Sequence, residues 1–184
     1  MYLGLDLSLT GTGISLLEEN YVIVKQAELS TKNYGAERLF HLELKFLEFL
    51  ENYKTDIKFC IIEGAAYRAE GKIYELGQWA GIVQLNLFKL GIPFMEVAPL
   101  AVKKYIHGKG EDRGKNIVIL DIYKNYGLTI ENNNIADAYL ISRIAYDFYN
   151  IFLIKRAKDL DLKKYQTEVL NKLFKDVYTS KTLF

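Results

Sequence analysis

Apolar residues alternate with small or polar ones over residues 2–8, Tyr-Leu-Gly-Leu-Asp-Leu-Ser, the period of a strand with one buried face. Thr10-Gly11-Thr12-Gly13 reads as a turn leading into a second strand over 14–18. Glu19-Asn20 is a hairpin tip, and the β-branched run 21–28 predicts a third strand. From Ala36, Leu39, Leu42, Phe46, Phe49 and Leu50 recur at helical spacing, predicting a helix to about Tyr53. Residues 57–62 form a short buried strand that stops at Glu63-Gly64. A helix over 73–90 ends at Gly91, a strand covers 93–97, and Pro99 suits the first turn of a helix through Tyr105. Further helices are predicted over 115–126, 132–149 and about 160–177.

This order predicts an α/β fold. Its five-stranded mixed sheet has three antiparallel strands followed by two parallel ones, joined by right-handed crossovers, with helices on both faces and a C-terminal helical extension. Residues 1–150 are expected to form the α/β domain, and 151–184 a basic helical extension of it.

The composition narrows the function classes. Half of the 184 residues are hydrophobic and 26% are charged, which suits a packed domain and not a polar tail. No apolar run approaches a membrane span, and the opening Met1–Asp6 lacks a basic segment, so neither a membrane anchor nor a signal peptide is expected. A single cysteine, Cys60, leaves no disulfide framework or thiolate zinc site, and a reducing, cytoplasmic setting is expected. The net charge of +1 conceals an asymmetry: residues 1–150 carry 16 Lys/Arg against 19 Asp/Glu, and residues 151–184 carry 8 against 4. His41 and His107 fit no metal-ligand spacing.

Three acids are out of place for a merely solvated charge. Asp6 interrupts an apolar strand and shares a face with Gly4 and Ser8. Glu63 closes the strand Cys60-Ile61-Ile62, at the end where sheets of this kind bind ligands. Asp137 lies between alanines, and Asn134 shares its helix face. Taken singly, each has an ordinary alternative: a paired acid, a strand-end charge facing water, or a helix-start acid on the dipole. Converging, they would repel unless cations joined them. All-oxygen donors suit Mg²⁺ or Mn²⁺, and two such ions can activate water and hold the leaving oxygen of a phosphodiester.

The ordered set of motifs resembles the RuvC-type Holliday junction resolvases of the RNase H-like superfamily. The resemblance spans roughly residues 2–145. Leu3 through Gly13 is similar to the opening strand and turn, Ile61-Ile62-Glu63 to the second acidic strand, and Leu76-Gly77-Gln78-Trp79-Ala80-Gly81 to the family's LGQxxG helix. Pro99 through Lys115 resembles the lysine-bearing helix and GxG loop, and Ile135-Ala136-Asp137-Ala138 the last acidic helix.

The resemblance implies an RNase H-like fold and a crossover junction endodeoxyribonuclease. Such an enzyme works as a homodimer and resolves four-way or other branched DNA by paired nicks, with two Mg²⁺ (or Mn²⁺) per site. It implies Asp6, Glu63 and Asp137 as metal carboxylates, with Asn134 where the family often has a fourth aspartate. Lys104 matches a family lysine near the active site. Gly114 falls where a second lysine is usual, leaving Lys115 or Arg113 to substitute. Tyr67 lies one residue beyond a base-stacking aromatic of the family, and Arg68, Lys103, Lys109 and Arg113 complete the expected DNA contacts. The stripe Leu76, Trp79, Ala80, Val83, Leu87 reads as core or as the two-fold interface. The residues leave two other classes open: a catalytically weak module that binds branched DNA, and a nuclease acting on RNA–DNA hybrids.

Overall fold

The computed structural model describes residues 1–64, 73–109, 115–155 and 160–180, the side chains of 115–116 and 177–180 excepted. Five strands form one sheet: β1 (Tyr2–Asp6), β2 (Thr12–Leu17), β3 (Ile23–Leu29), β4 (Phe59–Glu63) and β5 (Phe94–Val97). Their order is β3-β2-β1-β4-β5. The first three are an antiparallel meander, and β4 and β5 add parallel to β1.

Strand alternation divides the core in two. On one face Leu3, Leu5, Ile14, Leu16, Cys60 and Ile62 pack with residues of α1 (Gly35–Leu50) and α2 (Ile73–Lys89). On the other, Tyr2, Phe59, Ile61, Met95 and Val97 pack with α3 (Pro99–His107), α4 (Lys115–Tyr126), α5 (Asn133–Phe148) and α6 (Lys164–Ser180). Cys60 is fully buried and its thiol is raised by burial, so it serves as a small core residue.

Two glycines let α5 lie directly on the sheet. A Cβ at Gly4 would sit 2.2 Å from the Ser142 amide nitrogen, and one at Gly13 would sit 1.9 Å from the Asn134 carbonyl oxygen. Small residues at these points bring the first half of α5 down onto β1 and β2.

Several boundaries differ from the sequence expectation. Residues 19–21 form a tight 3₁₀ turn with positive φ at Asn20 and Tyr21, so β3 begins at Ile23. β2 begins at Thr12 because Thr12 and Gly13 pair with Leu29 and Glu28. Asn132 caps α5 rather than entering it, its Oδ1 accepting from the Ile135 amide at 2.9 Å. The last helix starts at Lys164, where Gln166 Oε1 reaches back to the Lys163 amide at 2.9 Å.

Candidate metal centre

Asp6 closes β1 and Glu63 closes β4. The parallel register pairs Leu5 with Ile62, so the next residues, Asp6 and Glu63, stand side by side at the carboxyl ends of both strands. Alternation turns both toward the face that α5 covers, the face to which Tyr2, Phe59 and Ile61 also point.

The two carboxyl groups lie close enough to act directly on each other's ionisation. Burial raises the Asp6 carboxyl above its usual range, with the bond to Glu63 acting against it. Glu63 is raised too. Burial is the main cause, then the charge and hydrogen bond of Asp6, then the charge of Asp137, while Lys103 pulls the other way. Asp137, one turn into α5, therefore acts on Glu63 through its charge. Asn134 precedes it by three residues on the same helix.

Among the described residues, no three Asp, Glu, His or Cys side chains already close on a single point. What is present is a carboxyl pair in contact and a third acid within electrostatic reach. Two neighbouring, half-buried carboxyls with a third acid in reach are a place a divalent cation would occupy. The donors are all oxygen, Asn134 adding an amide, and that set fits a hard cation such as Mg²⁺ or Mn²⁺.

The lysines of α3 divide. Lys104 Nζ donates to Glu168 of α6 at 2.8 Å, while Lys103 is the lysine whose charge reaches Glu63. Lys109 is exposed just beyond α3. The backbone of Lys115 opens α4, and its side chain lies outside the described residues, as do Tyr67, Arg68 and Arg113 altogether. His107 is buried against the Asp121 carboxylate rather than presented to a ligand. From the α2 stripe, Trp79, Val83 and Leu87 are core, and Trp79 Nε1 donates to Thr12 Oγ1 at 3.0 Å.

With this geometry in place, similarity to known proteins is decisive. A crossover junction endodeoxyribonuclease RuvC from Ruegeria pomeroyi is 30% identical over 114 residues, covering 61% of this chain and 67% of the relative. The chain belongs to the RuvC family. The T. thermophilus RuvC solved in complex with a Holliday junction substrate superposes with a TM-score of 0.64 at 22% identity, covering 83% of this chain and 95% of that one. A Fowlpox virus resolvase bound to Holliday junction DNA superposes at 0.50 with 12% identity, covering 78% and 96%. At such identities these two likenesses establish the shared fold. No protein-family model matches the chain.

For a RuvC-family chain, three features escaped the sequence reading. One is the pairing of Lys104 with Glu168, which depends on where α6 docks. Another is Glu28, aligned with Gly13 and hence with Asp6 across the sheet. The third is a buried cage around Arg143 and Asp147 on α5. Each rests on contacts between residues far apart in the chain, and alternation within one strand carries no such signal.

Proposed function

We propose that the chain is a divalent-metal-dependent endonuclease that cuts branched DNA, most of all four-way junctions, by paired nicks within a homodimer. The observation that carries this reading is the half-buried Asp6–Glu63 carboxyl pair, with Asp137's charge acting on Glu63, in a RuvC-family fold. Asp6, Glu63 and Asp137, with the oxygen of Asn134, would hold two Mg²⁺ or Mn²⁺ ions. When bound, these would polarise the scissile phosphate and make an attacking hydroxide available at neutral pH. The chain's own part is positional. The two strand ends would hold Asp6 and Glu63, α5 would bring Asp137 to bear on them, and Lys103 would offset charge on the phosphate. Lys109, Arg113, Lys115, Tyr67 and Arg68 are proposed to hold the DNA backbone and bases around the site.

Purified protein incubated with a labelled four-way junction and Mg²⁺ or Mn²⁺ should release paired nicks, and Asp6→Asn should bind the junction without cutting it. Preferential cleavage of an RNA–DNA hybrid would move the reading to an RNase H-type enzyme. Asn134 favours one second reading, because a neutral amide at this position weakens cation binding. On that reading the chain binds branched DNA and cuts it poorly, and junction binding without nicks in either metal would support it.

A further inference from the structure

α6 is docked on α3, close to the metal centre. Lys103, whose charge reaches Glu63, is followed directly by Lys104, and consecutive Cα atoms lie about 3.8 Å apart. Lys104 Nζ donates to Glu168 Oε2 at 2.8 Å. More than this pair joins the two helices. The Tyr165 ring lies against Gly108 at the end of α3, 3.1 Å from a Cβ placed there, and Tyr165 Oη donates to the Ile106 carbonyl at 3.4 Å. Val169, Leu170 and Leu173 are buried in the same core as Val102, Tyr105 and Ile106.

Glu168 sits among lysines. Lys164 precedes it by four residues and Lys172 follows it by four, so both border it on the surface of α6. Both are exposed, and Lys104 and Glu168 keep 38% and 48% of their side-chain surface open to water. Lys104 first, and Lys164 after it, hold the Glu168 carboxyl below its usual range, so at neutral pH it is an anion between cations. Three lysines against one carboxylate leave positive charge in excess. An exposed ion pair is weakly held, because water replaces either partner at little cost. To an ammonium group, which acts as a point charge with rotatable donors, a carboxylate and a phosphodiester are alike: singly charged anions with oxygen acceptors.

We propose that Lys104, Lys164 and Lys172 form a seat for the phosphodiester backbone of DNA, occupied by Glu168 until a strand displaces it. The seat takes phosphates flanking those held at the metal centre, and it gives the C-terminal extension a part in substrate binding. The inference rests on the branched-DNA reading above and deepens it.

The test measures binding of a labelled four-way junction to the full chain by fluorescence anisotropy, in EDTA so that no strand is cut, between about 50 and 200 mM salt. Lys164→Ala and Lys172→Ala should each weaken binding about threefold or more at the lower salt. Each should also flatten the slope of log affinity against log salt by about one, the loss of one phosphate contact. Their thermal midpoints should match the wild type, since both side chains are exposed. Glu168→Gln removes the competing charge and should tighten binding by about threefold. In a Lys104→Ala background the same substitution should change affinity by less than about twofold, because the lysine it releases is gone. Removing an acid that acts only through its distant field would give equal gains in both backgrounds, and equal gains overturn the proposal. Wild-type affinity and slope in the two α6 lysine variants overturn it as well, while leaving the nuclease reading intact. A wild-type chain that does not bind the junction sinks that reading and the seat with it. Inorganic phosphate, compared with chloride at equal ionic strength, should not displace the junction. Displacement that Lys164→Ala abolishes would assign the seat to free phosphate and overturn its assignment to DNA.

Discussion

Arg143 and Asp147 lie one turn apart on α5, and both are almost sealed from water. Burying either charge alone would cost several kcal/mol, so each needs partners. The guanidinium is sandwiched at 3.7 Å from the ring centres of Tyr21 and Tyr126, and it donates to Tyr139 Oη at 3.0 Å. Tyr21 Oη donates to Asp147 at 2.6 Å, and Tyr105 donates to its other oxygen. Tyrosines from the β2–β3 turn, α3 and α4 thus converge on α5. Burial still dominates at Asp147 and pushes its carboxyl from 3.8 up to about 6, against those hydrogen bonds and the charge of Arg143. Between these two values the folded chain keeps a proton that the unfolded chain has lost, so stability falls as pH rises from about 4 to about 6. The shift corresponds to about 3 kcal/mol at most. Asp147→Asn cannot ionise, so its stability should lack that part of the decline. Urea midpoints of wild type and variant at both pH values check this, and parallel curves would refute it.

At the scale of elements, α6 is joined to the rest by its apolar side. Val169, Leu170 and Leu173 lie in the core that underlies α5, and Phe174 stacks on Phe152 at 4.4 Å. Leu170 is fully buried, so Leu170→Ala should destabilise the whole chain by about 2–5 kcal/mol in a single unfolding transition. A loosely attached helix would give a change below about 0.5 kcal/mol, as surface substitutions do. The strands, the helix order and the mixed sheet were legible because each follows from local periodicity and from glycine or proline at element ends. Gly91, Gly108 and Gly127 do take positive φ just after α2, α3 and α4. Asp6 and Glu63 were legible because a charge inside an apolar strand is costly and therefore conspicuous. The pairing of Lys104 with Glu168 was not. Adjacent lysines on a helix differ only in direction, and that is decided by Glu168, 64 residues from Lys104. Glu28 was likewise hidden, because its bond to Asn132 follows from the pairing of β2 with β3 and the docking of α5.

At the scale of the whole molecule, one surface remains to be explained. The outer side of α2 exposes Tyr74, Leu85 and Phe88, and a Cβ at Gly77 or Gly81 would meet nothing within 4 Å. The opposite side of the same helix, with Trp79, Val83 and Leu87, is already buried in the core. Large apolar side chains flanking bare glycines allow another helix to approach closely, and an isologous pairing of α2 with its copy would cover them. A two-fold dimer would also present two metal centres to the two opposed strands of a junction, as paired nicking requires. Gly81→Arg meets open space within the protomer, so it should leave the fold and the thermal midpoint nearly unchanged while blocking that approach. Sedimentation velocity should then show a dimer for the wild type and a monomer for the variant. Junctions treated with the variant should carry single nicks in place of paired ones. A variant that stays dimeric would place the two-fold contact elsewhere on the molecule. A monomeric variant that still made paired nicks would separate pairing of the cuts from pairing of the chains.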